Sequence, residues 1–237
     1  MPHVPQAVSR FYTLDWQYAL AISRLPVLRS AAVLVSVAPI LTNVLSAWLP
    51  TGFWLTWVAA VLFLAAVVVL QVYCPRIIRD YRDYGAYESC GHSHRWVLWT
   101  LYYSLPSLPD SPAVISELES KGLTIPLSNT SPSVQSALNA QAAVARTTLA
   151  TNRALTPANL DRDLHMLVVV HGQLSVVSVR ENDPLLRQKE RELFWIPFSH
   201  AAKSRPRARA SFWILISAAS GFVLANAVLN VCRVLLR

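Results

Sequence analysis

The longest apolar stretch of the chain is AAVLVSVAPILTNVLSAWLPTGFWLTWVAAVLFLAAVVVLQVY (Ala31–Tyr73), and it determines the architecture that we predict. It contains no charged residue, and a Pro-Thr-Gly break at 50–52 divides it into two runs. The runs, Ala31–Leu49 and Phe53–Tyr73, each have about the ~20 residues that a helix needs to cross a bilayer. The stretch therefore predicts a transmembrane hairpin.

A third apolar run, SFWILISAASGFVLANAVLNV (Ser211–Val231), follows a long polar insert. Core helices of soluble proteins are rarely apolar on every side over this length. The fold class that we predict is therefore an all-α polytopic membrane protein with three transmembrane helices. It divides into an N-terminal segment (1–29), a transmembrane hairpin (30–73), a mostly helical insert (74–210) and a third transmembrane helix (211–233).

The basic residues are concentrated beside the apolar runs. The formal net charge is +8, and the turn at 50–52 carries no charge. Under the positive-inside rule, the N-terminus and the insert are predicted to be cytoplasmic, in a multi-pass protein of the cell inner membrane. We expect anionic lipid headgroups rather than nucleic acid as partners, because no nucleic-acid-binding motif accompanies the charge. The candidate headgroup contacts are Arg76, Arg79, Arg82, Lys203, Arg205, Arg207 and Arg209.

The N-terminal segment is predicted to contain an amphipathic helix. Its apolar residues recur at helical spacing at Phe11, Leu14, Tyr18, Ile22 and Leu25. Periodicity alone leaves two positions open for this helix. It would lie on the cytoplasmic leaflet or pack on the insert.

Four dipeptides in the insert combine an N-cap residue with proline, which is favoured at the first helical position. They are Ser111-Pro112, Ser131-Pro132, Thr156-Pro157 and Asp183-Pro184. We therefore expect four helices. The third would present one apolar face from Leu160 to Val177, but the valine-rich residues around His171-Gly172 leave a small β-hairpin near 166–180 as the alternative.

Three further segments of the insert are rich in aromatic residues and are predicted to lie at the membrane surface. In the first, arginines and tyrosines alternate below the second span, as an interfacial collar. The second is too short to span a bilayer and would be interfacial or buried. The segments are RIIRDYRDYGAYES (Arg76–Ser89), WVLWTLYYSL (Trp96–Leu105) and FWIPF (Phe194–Phe198).

Candidate catalytic or metal-binding residues are few. Cys90, His92 and His94 offer the thiolate and imidazole ligands that zinc prefers, but their spacing matches no known zinc motif, so we prefer a polar loop. Asp161 and His165 would share a helix face, which we interpret as a surface pair. No hydrolase, metalloprotease or nucleotide-binding motif is present in the sequence. We expect no cofactor and a protein that is not an enzyme.

Polar and small residues inside the apolar runs indicate helix packing. Ser217, Gly221 and Ala225 recur every fourth residue, a pattern that lets another helix approach closely. Three asparagines, Asn43, Asn226 and Asn230, could form hydrogen bonds between helices or, in an oligomer, line a pore. Both uses remain open at this point.

The sequence therefore predicts a non-enzymatic membrane protein. It would act by forming a homo-oligomer and by binding a protein partner through the cytoplasmic insert. One alternative is an oligomeric channel or pore-forming effector. A second alternative is a membrane-bound, metal-dependent enzyme that uses Cys90, His92 and His94.

Overall fold

The computed structural model describes residues 14–24, 26, 30, 51–148, 153–160 and 163–235. The predicted span Ala31–Leu49 lies outside these residues. The described chain is mostly helical with a small antiparallel sheet, so the all-α prediction is correct only in part. It forms two compact units, which we call unit 1 (Met1–Cys74 with Arg205–Arg237) and unit 2 (Pro75–Ser204).

The elements of the described residues are numbered along the chain. The helices are α1 (Trp16–Ser23), α2 (Thr51–Tyr73), α3 (Arg76–Asp80), α4 (Tyr84–Ser89), α5 (Trp96–Ser104), α6 (Ser111–Ser120), α7 (Pro132–Thr148), α8 (Leu186–Lys203) and α9 (Pro206–Leu235). The strands are β1 (Thr124–Pro126), β2 (Arg153–Ala154), β3 (Ala158–Leu160), β4 (Asp163–Val170) and β5 (Gln173–Val179).

Unit 1 is built on α2 and α9, which are long and apolar enough to cross a membrane by length and composition. Their apolar windows are Trp54–Tyr73 and Pro206–Leu229, with mean hydropathies of 2.5 and 2.0. The two helices pack side by side and run antiparallel, since the end of α2 meets the start of α9. Three alanines of α2, Ala59, Ala60 and Ala66, are almost fully buried. Small side chains at these positions let the helix backbones approach closely.

Helix α1 packs against α2 and α9 through a different face from the predicted one. Trp16, Ala19 and Leu20 are buried, whereas Tyr18 is 60 % exposed. Both sets have helical spacing, and periodicity alone does not decide between them. The structure places α1 within unit 1. Its position on the cytoplasmic leaflet or on the insert stays a prediction.

Unit 2 is organised around the antiparallel hairpin of β4 and β5. The sheet order is β1-β5-β4-β2, and β3 also pairs with β4. Strands β4 and β5 are joined at His171 and Gly172, which both have positive φ values, of 48° and 79°. Such a pair suits the tight turn of a two-residue hairpin. The preferred helix over Leu160–Val177 was therefore wrong, and the hairpin alternative is confirmed.

The helix was preferred because β4 shows no alternation of apolar and polar residues. Leu167 and Val169 face a core that includes Leu138 of α7 and Val176 of β5. The intervening residues of β4, such as Val168, are buried as well, and α5 and α6 also contact this strand. A strand that is covered on both faces reads as a continuous apolar run, which periodicity does not distinguish from a buried helix.

Three of the four N-cap and proline signals precede helices. Helix α7 begins at Pro132, as predicted, and α6 begins at Ser111, one residue before the predicted first position. Asp183-Pro184 lies just before α8, and Asp183 Oδ1 accepts a hydrogen bond from the backbone N–H of Leu185 at 2.9 Å. Thr156-Pro157 precedes β3 instead, so that helix prediction was wrong. Proline also suits the residue before an edge strand.

The aromatic segments predicted for the membrane surface contribute to the interior of unit 2. Tyr87 is 1 % exposed, and its ring lies 5.0 Å from that of Phe194. Phe194 and Phe198 of α8 are stacked and fully buried. In the second segment, Val97 and Leu101 of α5 are fully buried, which matches the buried alternative. These aromatic side chains stabilise the fold of unit 2 by removing large apolar surfaces from water.

Candidate functional site

The helix pair of unit 1 contains a polar contact far from its basic end. Asn226 Nδ2 of α9 donates a hydrogen bond to Thr56 Oγ1 of α2 at 2.8 Å. Thr56 lies 17 residues before Tyr73, and Asn226 lies 21 residues after Arg205. At ~1.5 Å per residue both are about 26 to 32 Å from the end where the helices meet, close to the thickness of a bilayer core.

The other predicted packing residues are placed differently. Ser217, Gly221 and Ala225 are exposed on α9, among the described residues. Asn43 and the side chain of Asn230 lie outside the described part of the chain. Asn226 is therefore the predicted residue for which the structure gives an interhelical bond. The sequence did not single out Thr56, although a threonine in an apolar run is a signal of this kind.

The basic end of the helix pair holds two of the predicted headgroup residues in protein contacts. Arg209 is 4 % exposed, and its Nη1 donates to the carbonyl of Leu14 at 2.8 Å and lies 3.3 Å from Asp15 Oδ1. Arg205 Nη1 donates to the carbonyl of Tyr73 at 3.1 Å. Arg209 therefore attaches the N-terminal segment to α9 and is not presented at the surface.

An open groove lies where α2 ends and α9 begins. Its apolar wall includes Val69 and Val72, and Tyr73 lies at its edge. Arg205 and Arg207 line its polar side. The groove has a volume of about 940 Å³ and belongs wholly to unit 1.

The remaining predicted headgroup residues lie at the surface of their units. Arg76 forms an ion pair with Asp80 at 3.2 Å, one helical turn away. The exposed members are Arg76, Arg79, Arg82, Lys203 and Arg207. These side chains are accessible to lipid headgroups, and their interaction with lipid stays a prediction.

Cys90, His92 and His94 are neighbours in sequence but have different contacts in unit 2. The Cys90 thiol donates to the carbonyl of Ala86 at 3.2 Å. The His92 ring stacks on Trp96 with centroids 5.2 Å apart, and its Nε2 is hydrogen-bonded to the Tyr81 hydroxyl at 3.2 Å. Among the described residues, no group of three His, Cys, Asp or Glu side chains could hold a metal ion.

Glu190 of α8 is the acidic group of unit 2 with the clearest upward perturbation. Burial raises the pKa of its carboxyl above the ordinary range, and the negative charge of Glu88 acts in the same direction. His94 and Tyr87 oppose this effect. The His94 Nε2 atom is itself buried and has no hydrogen-bond partner. Glu190 therefore ionises less readily than an ordinary glutamate.

His165 is a buried side chain of β4 rather than the helix-surface residue that the sequence predicted. It is 2 % exposed, and its Nδ1 is 2.8 Å from Ser178 Oγ on the paired strand β5. Burial lowers the pKa of the imidazole and keeps it neutral, although Asp163 acts in the opposite direction. Asp161, its predicted partner, lies outside the described residues.

Comparisons with known proteins found no protein-family model, no curated protein and no solved structure that matches this chain.

Proposed function

We propose that the chain is a non-enzymatic integral membrane protein. Unit 1, whose sequence includes the predicted span Ala31–Leu49, is the membrane anchor, and unit 2 is a cytoplasmic domain that binds a protein partner. The chain self-associates through its membrane helices. The proposed location is the cell inner membrane, with the N-terminus on the cytoplasmic side.

The observation that carries this proposal is the low burial of two long apolar helices. Only 22 % of the apolar window of each helix, α2 and α9, is buried. Val68 and Val72 of α2 are 60 % and 61 % exposed, and Leu224 of α9 is 66 % exposed. The core helix of a soluble protein buries most of such a surface, whereas a bilayer accommodates it.

The proposed orientation follows from charge. Arginines follow α2 at 76, 79 and 82 and occur at 205, 207 and 209 around the start of α9, so unit 2 is flanked by basic residues at both ends of its sequence. Helix α2 begins at Thr51, and the sequence Pro50-Thr51-Gly52 at this opposite end carries no charge. This asymmetry supports a cytoplasmic unit 2 under the positive-inside rule.

Self-association is supported by the exposed small residues of α9. Ser217, Gly221 and Ala225 leave room for the close approach of a second helix. The bond between Asn226 and Thr56 supports packing rather than a pore, since a side chain that pairs within the chain is less available to line a water-filled channel. We therefore do not propose the channel or the metal-dependent enzyme.

Alkaline carbonate extraction and microsomal insertion test the proposal together. We expect the full chain to stay with the membrane pellet. The tripeptide Asn129-Thr130-Ser131 is a glycosylation sequon with an exposed asparagine, and we expect it to stay unmodified in microsomes. A variant with a sequon in an extension after Arg237 should be glycosylated and serves as the control. Extraction into the soluble fraction would contradict membrane insertion, and modification of Asn129 would contradict the orientation.

Detergent-solubilised protein tests self-association. We expect a complex larger than one chain by light scattering, and we expect Gly221→Leu to shift it toward the monomer, because a large side chain keeps helices apart. The matched control is Val223→Leu, also on the exposed surface of α9. If the unchanged chain is a monomer in detergent, the proposed self-association is wrong.

A further inference from the structure

The groove of unit 1 joins two surfaces of opposite chemistry. Val69 and Val72 form an apolar wall near the end of α2, and Val72 is 61 % exposed. Arg205, Arg207 and the hydroxyl-bearing Ser211 line the other side, around the start of α9. Apolar surface beside guanidinium groups matches a molecule that has an anionic head and a hydrocarbon chain.

Arg205 is held in position by the surrounding protein. Its φ is 49°, in the left-handed region that side chains other than glycine seldom adopt. Its Nη1 donates to the carbonyl of Tyr73, the last residue of α2. Unfavourable backbone conformations of this kind persist where surrounding contacts enforce them, and they are concentrated at ligand sites and switch regions. The contact ties Arg205 to the edge of the groove.

The start of α9 also concentrates positive charge. Arg205, Arg207 and Arg209 occur within five residues, and no acidic residue lies in the first turn of the helix. Asp15 compensates for Arg209. Arg207 is exposed at the groove, where an anion would reduce the repulsion among these guanidinium groups.

We propose that this groove binds one anionic phospholipid. The phosphate lies against Arg205 and Arg207, and an acyl chain lies along Val69 and Val72. The volume of about 940 Å³ is sufficient for a headgroup and the upper part of a chain. The inference rests on the proposed membrane insertion of unit 1, and it adds a specific site to the general attraction between basic residues and anionic lipid.

The test compares lipid retention by four forms of the full chain. Each is reconstituted into vesicles of phosphatidylcholine with about one part in five phosphatidylglycerol, then extracted in detergent. The retained lipid is measured by mass spectrometry. The variants are Arg207→Gln, the pair Arg205→Gln with Arg207→Gln, and the control pair Arg187→Gln with Arg191→Gln on the exposed surface of α8.

We expect the unchanged chain to retain phosphatidylglycerol preferentially. The groove pair should lower its ratio to phosphatidylcholine by about tenfold to thirtyfold, and Arg207→Gln alone by about fivefold. Arg207→Gln keeps the bond between Arg205 and Tyr73, so lipid lost by this variant is not lost through breakage of that bond. The control pair removes the same charge outside the groove and should retain lipid like the unchanged chain.

Two results would contradict the proposed lipid site in the groove. An equal loss in the control pair would mean that retention follows net charge. Release of the lipid by added inorganic phosphate would assign the site to a free anion. Carbonate extraction of every variant keeps the proposals distinguishable: loss of lipid preference in a membrane-inserted variant concerns the groove, and failure of the unchanged chain to insert concerns the proposed function.

Discussion

Helix α2 and the hairpin of β4 and β5 are both apolar and rich in valine, yet they form different structures. Helix α2 continues for 23 residues, whereas β4 and β5 have 8 and 7 residues. The short run is divided at His171-Gly172, where both residues adopt positive φ. Length and turn residues, rather than valine content, distinguish these two regions.

The two regions also differ in how far their apolar side chains are buried. On α2, Val68 and Val72 are largely exposed, and the burial is concentrated on alanines. In β4, every residue from Leu164 to Val170 is buried. The hairpin is stabilised by contacts within unit 2, whereas the exposed side of α2 would face a bilayer or another chain under the proposed function.

Each region includes a cross-element polar pair, and the two pairs have the same distance. His165 and Ser178 are 2.8 Å apart in the hairpin, and Asn226 and Thr56 are 2.8 Å apart between α2 and α9. The surroundings differ, because His165 is fully enclosed by protein while Asn226 is only half-buried. Substitutions in the two pairs therefore show how much a polar contact stabilises a protein core and how much it stabilises a helix pair.

The largest effect is expected for a large-to-small change in β4. Leu167→Ala removes a fully buried side chain from the core shared with α7, and we expect unit 2 to lose about 2–5 kcal/mol of unfolding free energy. The matched change Val68→Ala on exposed α2 should alter stability by less than ~0.5 kcal/mol. Hydrogen exchange of the full chain in micelles measures both. Equal effects would mean that the two regions are buried alike.

A smaller effect is expected when the polar pair of the hairpin is broken. Ser178→Ala leaves the buried Nδ1 of His165 without its partner, and unit 2 should lose about 1–3 kcal/mol. Hydrogen exchange in β4 and β5 at about pH 7.5, where the histidine is neutral, provides the measurement. A change below ~0.3 kcal/mol would show that water replaces the hydroxyl.

The same histidine makes the stability of unit 2 depend on pH. Burial lowers the pKa of His165 below its ordinary value of 6.5, so the unfolded chain binds a proton more readily than the folded chain. Its contribution to stability is therefore complete above that value and is lost as the pH falls through the lowered folded pKa. His165→Gln should flatten the decline between about pH 7.5 and pH 5.5, measured by hydrogen exchange at β5. An unchanged slope would assign the decline to another group.

The bond between the helices is expected to contribute less than the buried pair in the hairpin. We expect a coupling energy of about 0.6–2 kcal/mol between Asn226 and Thr56, from a double-mutant cycle with Asn226→Leu and Thr56→Val. Unfolding in mixed micelles that contain a denaturing detergent provides the measurement. Zero coupling would contradict the bond. If the unchanged chain let ions leak from vesicles and Asn226→Leu abolished the leak without changing helix pairing, the channel would be favoured instead.

The fold could be predicted from the sequence where a local signal was sufficient. The length of Phe53–Tyr73 and Ser211–Val231 indicated two long apolar helices, and Ser111-Pro112 marked the start of α6. The β-hairpin was only an alternative, because β4 is covered on both faces and lacks alternation. The position of α1 depended on contacts with residues nearly two hundred positions away, such as Arg209 with Asp15.

The candidate site was predictable only in its residue types. The sequence indicated basic residues around the start of α9, but it did not distinguish buried Arg209 from Arg207 at the groove. It also placed Tyr87 and Phe194 at the membrane surface, since amphipathic aromatic residues are equally suited to an interface and to a core. Partners such as Thr56 for Asn226 depend on the antiparallel alignment of α2 and α9, which composition does not encode.

The smallest effect is expected for an exposed ion pair. Arg76 and Asp80 are 3.2 Å apart, but their side chains are 68 % and 42 % exposed, so water and salt screen the attraction. Asp80→Asn should therefore change the stability of unit 2 by no more than ~0.3–0.5 kcal/mol, and less in high salt. Hydrogen exchange at α5, which contacts the helix of this pair, measures it at two salt concentrations. A loss above ~1 kcal/mol that salt does not reduce would mean that the pair is shielded from water, as the pair of His165 and Ser178 is.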